Sequence, residues 1–273
     1  MSRITERFAR CRRDGRKALI PYLVAGDPDP DTCLAVLHEL VAAGADLLEV
    51  GVPFSDPMAD GPVIQAGCER ALNGVRGMAD VLELVGRFRA RDTTTPVVLM
   101  GYLNPMEQMG YATFAARAQA AGVDGVLTVD LPPEEADTLV PVLQAHGLDP
   151  IWLIAPTTRP ERLQRVAAMA EGFIYYVSLK GVTGADTLDV DDVARHVEDI
   201  RRYSALPVGV GFGVRDAATA ARVARAADAV VVGSALVRRV EEGLADRTAL
   251  PAHVAELIRE MRQAMDAPAA VAG

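Results

Sequence analysis

The sequence predicts an α/β fold, a single-domain (β/α)8 barrel. The chain has 273 residues, and barrels of this kind commonly occupy roughly 250 residues. A short apolar run, a turn rich in Gly, Pro or Asp, and an amphipathic segment follow one another eight times along the chain. The apolar runs are too short for core helices and alternate little with polar residues, which is typical of parallel strands covered on both faces.

The eight predicted strands are rich in Val, Leu and Ile, the residues that pack well in a buried sheet. They run over Ala18 to Ala25, Leu47 to Gly51, Val97 to Tyr102, Gly125 to Val129, Pro150 to Ile154, Phe173 to Val177, Pro207 to Gly211 and Ala229 to Val232.

Two amphipathic helices are clear between and after these strands, each with apolar residues at i, i+3, i+4 and i+7. They contain Ala136, Leu139, Val140 and Leu143, and Val254, Leu257, Ile258 and Met261. The motif Pro132-Pro133-Glu134-Glu135 has prolines and acids, which the first turn of a helix tolerates well. It predicts that the first of these two helices begins there.

Neither a low-complexity linker nor a shift in composition divides the chain, so residues 1–265 are predicted to form one catalytic barrel domain. Residues 266–273 are small and Ala-rich and are predicted to fray as a C-terminal tail. A doubly wound α/β fold is the rival interpretation. Its dinucleotide motif G-x-G-x-x-G is not matched by the glycine-rich segment over residues 209–214, so the closed barrel is preferred.

Charge and composition argue against several functional classes. The formal net charge is −9 and the basic residues are scattered, so nucleic acid is not an expected partner. Residues 1–17 are polar and Arg-rich, and no apolar run approaches the ~18 residues of a membrane span, so we expect a cytoplasmic protein without a membrane partner. The three Cys and four His have no metal-ligand spacing, and neither a disulfide nor a metal site is expected.

The second strand and the loop after it, Leu47 to Gln65, contain the strongest catalytic candidates. Glu49 lies inside an apolar strand, where loss of hydration should raise its pKa toward neutrality unless a cation compensates. Such a carboxyl can donate and accept protons at working pH, whereas the alternative is an ion pair with a Lys or Arg elsewhere in the fold. Asp60 follows in a turn and fits a catalytic role or a cap for a helix starting at Gly61-Pro62 equally well.

Two further aspartates rank below these carboxylates. Asp56 precedes Pro57 and is interpreted as a turn residue. Asp130 follows the fourth strand just before Pro132-Pro133 and could be a helix cap or a ligand.

Glycine-rich segments follow the last three strands, at Gly181-Val182-Thr183-Gly184, Gly211-Phe212-Gly213 and Gly233-Ser234. Backbone amides in such loops, helped by a helix N-terminus, bind anions without a lysine. Because phosphate sites in barrels usually lie at the last strands, these segments predict a phosphate-binding site.

Apolar and aromatic residues are concentrated within or near the strands, several at their carboxyl ends. They are Tyr22, Met100, Tyr102, Leu127, Val129, Leu153, Tyr175 and Phe212. Most apolar residues in these positions fill the barrel, but the set would also suit a flat aromatic ligand.

From about Ala18 to Ala235 the chain resembles the tryptophan synthase alpha subunit family. The resemblance is carried by residues 21–28, 49–65, 100–105 and 175–184, of which the second stretch is highly specific. It implies retro-aldol cleavage of indole-3-glycerol phosphate into indole and glyceraldehyde 3-phosphate, a lyase activity in tryptophan biosynthesis.

The resemblance also implies roles for individual residues. Glu49 matches the general acid-base that protonates indole C3, Asp60 the carboxylate that stabilises positive charge at the indole nitrogen, and Tyr175 a supporting tyrosine beside the reacting carbon. The implied substrate-binding residues are Tyr22, Met100, Tyr102, Leu127, Thr183 and Phe212. The implied phosphate-binding residues are Gly184, Gly213, Gly233 and Ser234.

The resemblance further implies an alpha2-beta2 complex whose beta subunit binds pyridoxal phosphate and receives indole, with no cofactor in this chain. Asp56, Pro57, Asn104 and Pro132 would lie near the docking face. A stand-alone lyase releasing free indole is the alternative. A non-catalytic phosphometabolite-binding subunit and a phosphosugar epimerase are less favoured, since Glu49 and Asp60 are intact and metal ligands are not evident.

Overall fold

Eight parallel strands close into a barrel in which each strand pairs with the next and the last pairs with the first. The computed structural model describes residues 2–177, 190–211 and 213–267. The strands are β1 (Ala18–Val24), β2 (Leu48–Gly51), β3 (Val97–Gly101), β4 (Gly125–Thr128), β5 (Asp149–Ile154), β6 (Ile174–Val177), β7 (Val208–Gly211) and β8 (Ala229–Val232). The predicted barrel is therefore confirmed, and each predicted strand end lies within one residue of the observed one.

Helices surround the barrel in the order that the alternating pattern predicts. In the described residues they are α1 (Arg3–Arg13), α2 (Pro30–Ala42), α3 (Pro62–Ala71), α4 (Met78–Arg89), α5 (Leu103–Met109), α6 (Tyr111–Ala121), α7 (Val140–Ala145), α8 (Pro160–Met169), α9 (Val190–Arg201), α10 (Ala217–Ala226), α11 (Ser234–Glu242) and α12 (Leu250–Asp266). The predicted apolar stripe of α12 is buried. This helix ends at Asp266, and residues 268–273 of the predicted tail lie outside the described residues.

The prediction that a helix begins at Pro132 is wrong. A short 3-10 helix (Pro133–Glu135) and a turn come first, and α7 begins only at Val140. The reason is Pro141, which has no N–H to donate and whose ring collides with the carbonyl four residues earlier, so it fits only the first turn of a helix. The apolar residues Ala136, Leu139, Val140 and Leu143 are nevertheless buried as predicted.

The barrel interior is filled by side chains from alternate strand positions, including Ile20, Leu47, Val98 and Leu127. Helix α1 closes its amino-terminal end with Ile4, Phe8 and Cys11, and the rings of Phe8 and Phe173 are 5.7 Å apart. Because this end is plugged, a ligand can enter the barrel only from the carboxyl ends of the strands.

Aspartates one or two residues before three even-numbered strands connect neighbouring strands at the plugged end. Each carboxylate accepts a backbone N–H from the start of the preceding strand and also pairs with an arginine. The sets are Asp46 with Leu19 and Arg262, Asp124 with Val97 and Arg89, and Asp228 with Val208 and Arg201. These buried or half-buried carboxylates are thus fully partnered, as structural charges need to be.

Candidate active site

A cavity of about 870 Å³ opens at the carboxyl ends of the strands. Its inner wall includes Asp60 from the loop between β2 and α3, and the interior-facing Met100, Val129, Leu153 and Val177 at or just beyond the carboxyl ends of β3 to β6. Its outer rim is formed by the loop after β5 and the start of α8, including Arg159, Arg162 and Arg165. The sequence patterns did not indicate these arginines, since they are spread along a helix instead of forming a motif.

Glu49 is the second residue of β2, and alternation along the strand turns its side chain into the barrel beside Leu47. Only 1% of the residue is exposed. Its Oε1 has no hydrogen-bond partner among the described residues. Burial, and secondly the negative charge of Asp60, raise the pKa of Glu49 to about 8. The alternative of an ion pair with Lys or Arg finds no support in the described residues, because no such pair involves Glu49.

Asp60 is held by the neighbouring strand and does not cap α3. The Tyr102 hydroxyl donates to Asp60 Oδ2 over 2.9 Å and accepts the Ala59 N–H over 3.0 Å. The Gln65 side chain donates to the Asp60 carbonyl over 2.8 Å. The residue at the N-cap of α3 is Gly61. Burial raises the pKa of Asp60, and the Tyr102 hydrogen bond opposes that rise. The structure therefore does not support the cap alternative, and a catalytic role for Asp60 stays a prediction.

Tyr102 therefore has a polar contact that its apolar surroundings did not indicate. Its ring also lies 5.3 Å from that of Phe54, which belongs to the same loop as Asp60. Tyr102, at the carboxyl end of β3, thus holds the Asp60 loop through both its ring and its hydroxyl.

Tyr22 of β1 and Tyr175 of β6 are both buried. A Cβ atom at Gly51 would collide with the Tyr22 hydroxyl, and one at Gly211 would collide with the Tyr175 hydroxyl. The two glycines thus create the slots in which the rings lie. Burial raises the pKa of both tyrosines far above the ordinary value, and the charge of Glu49 contributes in each case. Both hydroxyls therefore stay protonated close to Glu49.

The apolar residues predicted to bind the substrate lie at two different depths in the barrel. Met100 is partly buried and lines the cavity. Leu127 is fully buried in the barrel interior, and Val129, two residues further along the chain, is the one that lines the cavity. Phe212 lies outside the described residues.

The glycine segments after β7 and β8 lie at neighbouring strand ends. Gly213 has φ +76° and is exposed, so its backbone is open to a ligand. Gly233 is the N-cap residue of α11 and Ser234 is the first helical residue. No described side chain caps this helix, which leaves its first amides and its dipole available to an anion. Thr183 and Gly184 lie outside the described residues.

The two lower-ranked aspartates have other contacts. Asp130 accepts the Leu103 N–H over 2.8 Å at the first residue of α5, so it stabilises the start of a neighbouring helix. Asp56 is exposed and accepts a hydrogen bond from the Ser55 hydroxyl over 2.6 Å. Both are local structural contacts outside the carboxylate pair.

Within the described ranges, the cysteines and the other potential metal ligands form no further site. No three His, Cys, Asp or Glu side chains there are grouped so that they could hold a metal ion. Cys11, Cys33 and Cys68 are buried and free. No described helix has the length and apolar character needed to cross a membrane.

Comparisons with known proteins agree over almost the whole chain. A family model described as Tryptophan synthase alpha chain matches residues 8–271. The tryptophan synthase alpha chain of Nitrosococcus oceani is 60% identical over 267 residues, 98% of each chain. That of Thioalkalivibrio sulfidiphilus is 61% identical over 266 residues, 97% of this chain and 100% of the relative.

Solved structures show the same similarity. A crystal structure of tryptophan synthase subunit alpha from Legionella pneumophila has a TM-score of 0.90 and 45% identity, covering 97% of this chain and 99% of the other. Tryptophan synthase from M. tuberculosis in an aminoacrylate-bound form has a TM-score of 0.86 and 38% identity, covering 97% and 100%. The chain belongs to the tryptophan synthase alpha chain family.

Proposed function

We propose that this chain is a carbon-carbon lyase that cleaves indole-3-glycerol phosphate into indole and glyceraldehyde 3-phosphate for tryptophan biosynthesis. The observation that carries the proposal is the buried carboxyl of Glu49, which has no described partner at Oε1 and lies within electrostatic reach of Asp60. A buried carboxyl without a neighbouring cation lowers the stability of the folded state when it is ionised. Glu49 lies inside the barrel within electrostatic reach of Asp60, which lines the cavity, so its proton can serve acid-base chemistry there.

Glu49 acts in both halves of the retro-aldol reaction. With a pKa of about 8 it is protonated at neutral pH and can donate its proton to indole C3. The carboxylate that results accepts the proton of the glycerol hydroxyl next to the bond that breaks. The carbon-carbon bond then cleaves, its electron pair returns to the ring, an aldehyde forms, and the proton count on Glu49 is restored.

Asp60 supports the intermediate of this reaction. Protonation at C3 places positive charge on the ring nitrogen, and a carboxylate beside the N–H stabilises that charge. The Tyr102 hydroxyl favours the ionised form of Asp60 and fixes its orientation. Tyr22, Met100 and Tyr175 supply an apolar wall for the indole ring, and Leu127 supports this wall from below.

The phosphate is proposed to bind at the start of α11. The amides after Gly233, the Ser234 hydroxyl and the open backbone of Gly213 are suited to an anion at this point. Thr183, Gly184 and Phe212 complete the proposed site on the basis of the sequence resemblance alone.

The alpha chain family implies a beta-subunit partner. We further propose an alpha2-beta2 complex in which the beta subunit binds pyridoxal phosphate and receives indole, and a cytoplasmic location. Docking is proposed around Asp56, Pro57, Asn104 and Pro132, where Met58 is 86% exposed. Relatives about 60% identical over nearly the full chain are alpha chains, which favours this assembly over a stand-alone lyase.

The test is release of glyceraldehyde 3-phosphate from indole-3-glycerol phosphate, with and without a beta subunit. Wild type, Glu49→Gln and a control, Glu83→Gln, are compared, since Glu83 is exposed on α4 away from the site. We expect slow wild-type cleavage that the beta subunit accelerates, an intact control, and loss of cleavage in Glu49→Gln. Fast partner-independent turnover would favour the stand-alone lyase, and no wild-type cleavage in either condition would refute the proposal.

A further inference from the structure

Buried Asp27 and partly buried Arg70 form an ion pair at the open end of the barrel, outside the residues assigned to the chemistry. Asp27 lies in the loop after β1 and is fully buried. Arg70 lies in the last turn of α3. The guanidinium donates from Nε to Oδ1 and from Nη2 to Oδ2, each over 2.8 Å. Such a two-point contact fixes orientation as well as distance.

Arg70 connects three elements that support the site. Its helix, α3, begins just after Asp60, whose carbonyl is held by Gln65 of the same helix. Arg70 Nη1 also lies 3.9 Å from Glu241 Oε1 in the last turn of α11, the helix whose first residues are proposed to bind phosphate. The pair therefore links the Asp60 loop, the β1 loop and the phosphate-binding helix.

Close packing at Gly67 leaves α3 little room between its neighbours. A Cβ atom there would lie 2.9 Å from Val237 Cγ1 of α11 and 3.2 Å from Asp27 Oδ2. Helix α3 thus lies directly against α11 and against the Asp27 carboxylate. The ion pair and this contact together set how far α3 can slide along α11.

We infer that Arg70, held by Asp27, is a positioning residue that fixes the Asp60 loop relative to the phosphate-binding start of α11. The inference rests on the proposed function, because it concerns the distance between the carboxylate at the indole nitrogen and the anchor of the phosphate. A displacement of about 1 Å between such groups can lower a rate by roughly a hundredfold. A residue that sets this distance affects substrate binding and turnover together.

Arg70→Lys is the informative variant, because lysine keeps the positive charge but cannot make the two-point contact. The matched control is Arg89→Lys. Arg89 forms a comparably buried pair with Asp124 at 2.6 Å, but at the plugged end of the barrel. Steady-state cleavage of indole-3-glycerol phosphate and thermal unfolding are measured for both variants and for wild type.

For Arg70→Lys we expect kcat/KM to fall at least about tenfold, with KM raised at least roughly threefold. For Arg89→Lys we expect a comparable loss of thermal stability with kcat and KM within about twofold of wild type. A smaller folded fraction lowers kcat at unchanged KM, so the rise in KM separates positioning from lost stability.

A second variant removes both charges, Asp27→Asn with Arg70→Gln, so that no unpaired charge is left buried. It is expected to show the same rise in KM. Wild-type KM in this variant and in Arg70→Lys would overturn the inference while leaving the proposed lyase activity intact. Absence of cleavage by wild type itself would instead refute the proposed function.

Discussion

The proton on Glu49 should make the stability of the protein depend on pH in a way that Glu49→Gln removes. Burial raises the pKa of Glu49 from 4.5 to about 8, so the folded state holds this proton more tightly than the unfolded chain. The stabilisation is complete below the unfolded pKa and is lost as pH rises toward the folded pKa. One pKa unit corresponds to about 1.4 kcal/mol, so wild type should lose about 3 kcal/mol relative to Glu49→Gln between roughly pH 5 and pH 7.

Thermal unfolding of wild type and variant at several pH values between roughly 5 and 9 measures this effect. About 3 kcal/mol corresponds to a difference in Tm of roughly 6 °C that develops across the lower part of this range and levels off above about pH 8. Glu83→Gln, which removes an exposed carboxylate, should follow the wild-type curve. Parallel curves for wild type and Glu49→Gln would show that the buried carboxyl does not retain its proton, and the acid-base reasoning would fail.

Three further predictions concern the same site. In a pH series, kcat/KM should fall as pH rises above about 8, because ionised Glu49 cannot protonate the indole ring; a flat profile to about pH 9.5 would contradict this. Tyr102→Phe removes the hydrogen bonds to Asp60 and to the Ala59 amide. Steady-state kinetics should then show about a tenfold loss of kcat and a higher apparent pKa of Asp60, and unchanged values would argue against this contact. Gly51→Ala should destabilise the protein by about 1–3 kcal/mol in urea unfolding, because the new methyl group would collide with the buried Tyr22. As a control, Gly86→Ala, which places a methyl group in open space on α4, should stabilise the protein slightly.

The sequence was most informative where one physical signal dominated. Strands covered on both faces are apolar throughout, and turn residues mark their ends, which is why every strand could be placed within one residue. Glu49 could be singled out because a carboxylate in such a strand contradicts the pattern around it. The helix predicted at Pro132 failed where two signals competed, since its apolar spacing favoured helix while Pro141 prevented one from starting before Val140.

Contacts between distant segments could not be predicted in this way. The Tyr102 hydroxyl meets Asp60 across 42 positions in the sequence, and Arg70 meets Asp27 across 43. The local sequence around each residue does not indicate that the folded barrel brings the two members of a pair together. A repeated aspartate before the second, fourth and eighth strands was visible in the sequence, but its partners are backbone amides that become available only at strand starts in the folded barrel.

Buried carboxylates have opposite surroundings at the two ends of the barrel, and this contrast supports the proposal that the open end is the catalytic one. At the plugged end, Asp46 and Asp124 each receive a backbone amide and a guanidinium. At the open end, Glu49 has no cation in the described residues, and its pKa is raised as a result. An arginine in contact with the Glu49 carboxylate would stabilise the fold, but it would keep the carboxylate ionised and so remove the proton. In the proposed mechanism, the loss of about 3 kcal/mol of stability at Glu49 near neutral pH is what keeps an acid available to the substrate.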